Sequence, residues 1–465
     1  MRRAYDLVVI GGGSAGFNAA RVAAALGKRV AVIDGARKLG GLCILRGCMP
    51  SKTLLYSAEV LHLAQRAGGF GLKVSGASAD MASMHSRKRR IIANFARHRV
   101  RQLKSGDFDL IRATAHFVDS HTVALDGGKR ITAKHFLVGT GSRASFPPIP
   151  GLAEATCWTS DDILELDFKP RNIIILGGGI VACELAQFLG RIGTRVCLIQ
   201  RGSNLLREHS EESSKVIRRV FQDEGIEVIT DTKILGVHSG NGRISVSFKH
   251  RGRTLQRRAD HLLNALGREP ATSGLSLPAA GVRTAPNGRI RINRWQQTSA
   301  PHIYAAGDCC GPHEIVHVAI QQAELAARHA AGVRGIRPVD EAMLLSVVFT
   351  DPQLATIGWR RADLVRKGIR HRSASHPFND HGKSILMNAG YGYVRIFAGA
   401  SDGRILGAEI VGKDAGELIH CFSAPLAMRA TVHDMLRAPW YHPTLAEIIT
   451  YPLEELAQDA PHWRP

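Results

Sequence analysis

Two stretches of this chain limit what it can fold into more than any count of its residues. The first, YDLVVIGGGSAGFNAARVAAALGKRVAVID over residues 5–34, runs from a strand-length apolar segment into clustered glycines, then an alanine-rich helical pattern, then a second apolar run closing on Asp34. Gly11, Gly13 and Gly16 give the spacing G-x-G-x-x-G where strand meets helix. The first glycine permits a tight turn, the second lets a pyrophosphate approach the backbone, and the third lets helix and strand pack closely. A helix starting there turns free amide groups toward phosphate charge. Asp34, standing where the pattern puts its acid, can hold a ribose hydroxyl pair. The same grammar returns in NIIILGGGIVACELAQFLGRIGTRVCLIQ, residues 172–200, with Gly177, Gly179 and Ala182 in the corresponding places. The chain therefore reads as α/β, with two Rossmann-like dinucleotide-binding domains.

The second unit departs from the first at one telling position. Where a ribose-binding acid should stand it has Gln200, followed by Arg201 and, shortly after, Arg207. An acid there would repel a 2'-phosphate, whereas arginines pair with one bidentately. The expected nicotinamide nucleotide is NADPH in preference to NADH.

At 465 residues the chain exceeds one ordinary core, so about two to four domains are expected. FPPIPG at 146–151 reads as a crossing between domains, and LLNALGREP at 262–270 as a strand followed by another. From about residue 341 strand-like LLSVVFT and YVRIFAG give way to a helix-rich tail. These shifts divide the chain into 1–147 and 268–340 as two parts of the first dinucleotide domain, 148–267 as the second, and 341–465 as a separate α+β domain.

Composition excludes several classes. No stretch approaches the roughly 18 uninterrupted apolar residues of a membrane helix, so membrane insertion is not expected. MRRAYDLVVIGGG places two arginines before an apolar run, as a leader would. That run ends in glycines suited to a strand and turn, and the expected compartment is the cytoplasm. A net charge of +21 would attract anions of any kind. The densest basic stretch, SRKRRIIANFARHRVRQLK at 86–104, reads as one solvated face of a long amphipathic helix. No zinc-finger or aromatic RNA-binding pattern accompanies it, so nucleic acid is not the expected partner.

The eight cysteines do not make a disulfide framework in a chain of this length. A close pair in a reducing compartment is more often redox-active or metal-binding. GGLCILRGCMPSK, residues 40–52, holds such a pair in Cys43 and Cys48. No other segment has zinc-site spacing and no metal is expected. Vicinal Cys309 and Cys310 read as small packed residues. MPSKTLLYSAEVLHLAQ after Cys48 looks helical. On a regular helix two residues five apart point away from each other, so bridging the pair requires a distorted first turn, which Gly47 can relax.

GGLCILRGCMPSK resembles the redox-active segment of the flavin-dependent pyridine nucleotide-disulfide oxidoreductases, the group of glutathione reductase, dihydrolipoyl dehydrogenase and mercuric reductase. Further similar segments follow in the family's order: LVGTGSRA (137–144), LLNALGREP, IYAAGD ending in Asp308, VVFTDPQLATIG (347–358) and HPTLAE (442–447). The resemblance implies FAD in the first site and the nicotinamide nucleotide in the second, with Ser14, Thr140, Gly141 and Gly267 as further cofactor contacts. Asp308 would meet the flavin's ribityl or phosphate part, and Lys52, paired with Glu184, would sit near the reactive flavin nitrogen. Cys48 would lie against the flavin, and Cys43 would be the thiol that meets the substrate. His442, oriented by Glu447, would act as acid and base on that thiol from the other subunit of a homodimer. The implied activity carries electrons from NADPH through FAD and a Cys43–Cys48 disulfide to a small-molecule disulfide or thiol-reactive substrate.

Several positions depart from the family pattern. Leu45 replaces a usual asparagine, and Ile180 replaces a tyrosine that gates the nicotinamide pocket in glutathione reductase. Arg21 matches an arginine that holds a glutathione carboxylate, but Glu324 falls at a second such arginine and no tyrosine occurs between Tyr56 and Tyr304. The missing ribose acid in the second unit disfavours a dihydrolipoyl dehydrogenase. The tail EELAQDAPHWRP lacks the cysteine pair of a mercuric reductase. Substrate identity stays open at this point, with those two enzyme types as alternatives and a basic flavoprotein acting mainly by binding nucleic acid or acidic surfaces as the rival of a different class.

Overall fold

The computed structural model describes residues 5–240, 242–460 and Trp463. Arg2 and Arg3, on which a leader reading would rest, lie outside the described residues. The chain divides into two compact units. One comprises Met1–Leu54, Ala82–Ser145 and Gly267–Val339, the other Leu55–Met81, Phe146–Leu266 and Asp340–Pro465.

In the first unit, strand Tyr5–Ile10 runs parallel to Val30–Ile33 on one side and Arg130–Val138 on the other. Asp109–Ile111 and Ile303–Ala305 extend this parallel sheet at its two ends. Parallel strands are covered on both faces, so they read as unbroken apolar runs, as VAVI and LVVI do. The start of Arg130–Val138 also pairs antiparallel with Thr122–Leu125, which pairs with Ala115–Asp119. Helix Ser14–Ala25 shares a core with helix Val316–Ala330 through Ala19, Ala23, Ala319, Ala323 and Ala326. Alanines there let the two backbones approach closely. On the other face of the sheet Val8, Ile10, Ile33, Phe117, Phe136 and Ile303 form a second core. At about 1.5–3 kcal/mol for each fully buried Val, Leu, Ile or Phe side chain, these layers hold the turns in place.

The expected basic helix runs Met81–Leu103. Arg87, Arg89, Arg90, Arg97 and Arg101 are exposed as expected. His85 and Lys88 are not, with only 6% and 2% of their surface accessible, so the charged stretch is only partly a solvated face.

The second unit contains a four-stranded parallel sheet in the order Glu227–Ile229, Arg195–Ile199, Asn172–Leu176, His261–Asn264. It also holds a three-stranded antiparallel ribbon over Thr232–Gly240, Arg243–His250 and Arg253–Ala259. A five-stranded antiparallel sheet follows, in the order Leu345–Val348, Gln353–Gly358, Ile405–Gly412, Tyr393–Gly399, His371–Pro377. Helix Thr450–Asp459 covers it through Leu453 and Leu456, which join Ile396, Ile410 and Phe422 in one core.

One face of helix Ile180–Arg191 is stitched to the loop that precedes strand Gln353–Gly358. Glu184, Gln187 and Arg191 are spaced three and four residues apart, which aligns them on a helix. The Phe349 amide donates to Glu184 Oε1 at 3.0 Å. Gln187 exchanges two hydrogen bonds with the Asp351 backbone, both 2.7 Å. Arg191 reaches Asp351 Oδ2 at 3.0 Å and Glu224 Oε1 at 2.6 Å. Among the described residues no helix is long and apolar enough to cross a membrane.

Candidate functional site

The first glycine turn is built as its spacing requires. Gly11 adopts φ +102°, and a Cβ there would lie 2.5 Å from the Gly139 carbonyl oxygen. Helix Ser14–Ala25 starts from Gly13 with no side-chain cap, so its first amides remain available to an anion. Asp34 ends the second strand and is buried. Its Oδ2 accepts the Gly12 amide at 2.9 Å and its Oδ1 the Ala36 amide at 2.8 Å. An ionised carboxylate has about four acceptor positions, which leaves lone pairs for ribose hydroxyls.

These groups open on a cavity of about 550 Å³ within the first unit. Gly11, Gly13, Ser14, Asp34, Thr140, Gly141 and Asp308 line it, and so do Cys43 and Cys48. Gly16, Lys52 and Gly267 belong to the same unit but not to the lining. Asp308 is fixed by a relay that the motifs alone do not reveal. Ser142 Oγ donates to Asp308 Oδ2 at 2.6 Å and accepts from Arg268 Nε at 2.8 Å. Arg268 comes from LGREP, and its strand Arg268–Pro270 pairs with Ser142–Ala144. Glu314 also faces the cavity, bridged to Arg289 at 2.8 Å. Burial, with repulsion from Asp308 behind it, pushes its carboxyl above the usual range despite that arginine.

The lining fits FAD on this structure's own terms. Thr140 Oγ1 is buried without a hydrogen-bond partner, which marks an acceptor or donor still to come. A Cβ on Gly41 would lie 2.7 Å from Gly13 Cα, so the redox segment presses directly on the phosphate turn.

Cys43 lies in the short helix Gly41–Arg46 and Cys48 begins the long helix Cys48–Gln65. Gly47 separates them at φ −130°, ψ −117°. The expected distortion is thus a complete break between two helices, which brings the sulfurs together. Both are free thiols, Cys43 half-buried and Cys48 exposed. The hydrogen bond to Cys48 holds the Cys43 thiol far above the ordinary range, and burial adds to this. A base beside Cys43 would free that sulfur for attack.

Vicinal Cys309 and Cys310 are fully packed. Cys309 donates to the Val138 and Ala306 carbonyls at 3.3 and 3.4 Å, and Cys310 to Gly307 at 3.2 Å. Among the described residues no group of three or more His, Cys, Asp or Glu side chains could hold a metal ion.

In the second unit Gly177 repeats the tight turn at φ +115° and Gly179 caps helix Ile180–Arg191 without a side-chain bond. Ala182 is fully buried and Ile180 is exposed. Arg201 and Arg207 are both exposed beyond strand Arg195–Ile199, and Gln200 turns its amide onto the Asn204 carbonyl at 3.2 Å. Glu184, buried at 4% accessibility, holds the Phe349 amide. His442 Nδ1 sits 2.8 and 3.0 Å from the two Glu447 oxygens. Its imidazole is 75% exposed, whereas the glutamate is 19% exposed, an arrangement that orients the ring and leaves its far edge open. Arg21 is tied to Glu324 at 2.8 Å, and Glu324 also pairs with Arg328. The arginine that resembles a glutathione anchor thus has its charge already met.

The family profile described as pyridine nucleotide-disulphide oxidoreductase matches residues 5–323, and that of the same family's dimerisation domain matches 344–452. The latter supports a homodimer. The chain is 32% identical over 444 residues to a mercuric reductase of Staphylococcus aureus, covering 95% of this chain and 81% of that protein. It is 32% identical over 450 residues to a dihydrolipoyl dehydrogenase of Bacillus subtilis (strain 168), covering 95% and 96%. The fold is similar to that of the HOCl-induced flavoprotein disulfide reductase RclA from Escherichia coli in its Cu(II) complex, at a TM-score of 0.86 and 24% identity over 98% of this chain and 100% of that one. The chain belongs to the pyridine nucleotide-disulphide oxidoreductase family and is an FAD-dependent oxidoreductase that takes electrons from NAD(P)H and passes them on through a redox disulfide.

Proposed function

We propose that this enzyme is an NADPH-dependent reductase of a small-molecule disulfide or related thiol-reactive compound, acting through Cys43 and Cys48. The observation that carries this reading is that Cys43 and Cys48 line the same cavity as the glycine turn, Asp34 and Asp308. The four proposed chain segments take their roles accordingly: 1–147 with 268–340 for FAD, 148–267 for NADPH, and 341–465 for the subunit contact. Gly11, Gly13, Ser14 and Gly16 shape the pyrophosphate site, Asp34 takes the ribose, and Thr140, Gly141, Gly267 and Asp308 complete the flavin side. Gly177, Gly179 and Ala182 do the same for the second nucleotide, and Lys52 with Glu184 adjusts the charge near the flavin ring. Bound FAD supplies two-electron chemistry, accepting a hydride and reducing the cysteine pair.

The residues of the chain then carry thiol exchange. His442 of the partner subunit, held by its own Glu447, removes the Cys43 proton. The Cys43 thiolate attacks one sulfur of the substrate, forming a mixed disulfide and expelling a thiolate that the imidazolium protonates. The Cys48 thiolate next attacks Cys43 Sγ, restores the intramolecular disulfide and expels the second half of the substrate as a thiolate, which takes a proton from solvent. Eight cysteines spread over a chain of this length, without the spacing of a disulfide framework, suit a reducing compartment, and we place the enzyme in the cytoplasm.

Anaerobic addition of NADPH to the yellow holoenzyme should bleach the flavin, raise a long-wavelength absorption band and expose the Cys43 and Cys48 thiols to a thiol reagent. Flavin reduction with no new reactive thiols would remove the cysteine pair from the path. A panel of disulfides together with mercuric and cupric ions, assayed by NADPH oxidation, identifies the acceptor.

Cofactor choice has its own test. Exchanging Arg201 and Arg207 for alanine removes charge-assisted bonds to the 2'-phosphate, and the KM for NADPH should rise about 10- to 100-fold while that for NADH changes little. An equal rise for both nucleotides would refute the assignment.

A further inference from the structure

Arg99 stands apart from the other arginines of helix Met81–Leu103. Its guanidinium carbon lies 4.2 Å from the centroid of the Phe17 ring, and its Nε donates to Gln102 Oε1 at 3.1 Å. Its Nη1 is buried and has no hydrogen-bond partner. A buried donor left without an acceptor costs free energy, and a flat, pre-organised guanidinium with an unpartnered edge is the group that takes a carboxylate most readily.

Its location gives that unpartnered edge a meaning. Phe17 belongs to helix Ser14–Ala25, one turn beyond Gly13, where Gly41 of the redox segment is in close contact. The helix that carries the platform for Arg99 therefore also abuts the segment that carries Cys43. The guanidinium lies within electrostatic reach of Cys43, opposing the effects that raise the thiol. Burial pulls the guanidinium itself below its ordinary range. Arg99 does not line the cavity fitted to FAD, so the cofactor's phosphates do not account for the missing acceptor. Arg21, on the same helix as Phe17, is already paired with Glu324.

We propose that Arg99 is a substrate-binding residue that holds a carboxylate of an anionic disulfide, setting its sulfur–sulfur bond against Cys43. This rests on the disulfide reductase reading above and narrows its substrate class. A Phe17 platform restricts the rotation of the guanidinium, so the carboxylate is received in one orientation.

The test uses Arg99→Met and Arg99→Lys holoenzymes, with rates normalised to NADPH-reducible flavin. Three disulfides of similar length are compared: dithiodipropionate with two carboxylates, bis(2-hydroxyethyl) disulfide with none, and cystamine with two ammonium groups. Arg99→Met should lower kcat/KM for dithiodipropionate about 10- to 100-fold, mostly through KM, and affect the neutral and cationic disulfides about threefold or less. Arg99→Lys should recover part of the loss. A second readout does not depend on turnover: in the NADPH-reduced enzyme, the ratio of Cys43 alkylation rates by iodoacetate and iodoacetamide should fall in Arg99→Met. Equal losses on all three disulfides, or an unchanged alkylation ratio, would overturn the proposal. A wild-type enzyme that reduces none of the three would instead count against the disulfide reading, with the alkylation ratio still deciding whether Arg99 recruits anions to Cys43.

Discussion

Cys43→Ser should lower the reduction of every disulfide substrate by at least about 10³-fold, as loss of an attacking nucleophile does, while NADPH still reduces the flavin at close to its normal rate. The two half-reactions separate because the proposed roles give Cys43 no part in hydride transfer to the flavin, whereas exchange requires a sulfur anion that a serine hydroxyl cannot imitate. Stopped-flow flavin reduction measured beside steady-state NADPH oxidation resolves them. Normal turnover in that variant would mean that Cys43 is not the attacking thiol. Removing His442, the proposed base, should mimic the serine variant in kind and fall short of it in degree.

The second large effect is expected at the third glycine of the first turn. A Cβ on Gly16 would lie 1.8 Å from the Gly11 carbonyl oxygen and 2.9 Å from Val9 Cγ1. Neither obstacle is the end of a flexible side chain, so the helix must back away from the sheet. Overpacking of this kind costs about 1–3 kcal/mol. Gly16→Val should accordingly lower the melting temperature of the apoprotein and weaken FAD binding about 10- to 100-fold. Gly13→Ala is the informative companion. Its Cβ would come no nearer than 3.8 Å to any protein atom, so the apoprotein should stay as stable while FAD binding still falls. Equal apoprotein melting temperatures for the two variants would contradict the distinct roles given to these glycines.

The parts of this molecule that could be read from its sequence are those encoded locally. Both strand–turn–helix–strand units were legible because the buried parallel strands need unbroken apolar runs and the turns need glycine at fixed offsets. Cys43 and Cys48 were legible as a pair because they stand only five positions apart. Their geometry was only half legible: distortion near Gly47 follows from helix periodicity, but a break into two helices depends on Gly41 being pressed against Gly13, nearly thirty positions away. The Arg268–Ser142–Asp308 relay joins residues more than a hundred positions apart, and no spacing announces it. The burial of Lys88 and the unpartnered edge of Arg99 were hidden for a similar reason. A charge-rich helix displays its composition in the sequence, but which arginine turns inward is decided by what packs beneath it, here Phe17.

The seam along helix Ile180–Arg191 ties the second glycine turn to the loop at 349–351. Its first turn follows the glycines proposed for the second nucleotide's phosphates, while Glu184, Gln187 and Arg191 grip residues 349–351 near the start of the region that matches the dimerisation domain. Any tilt of this helix on loading must drag that loop along, as a lever drags the load pinned to it. Glu184 is consequently a rivet, and truncating it would slacken the mechanical link between helix and loop.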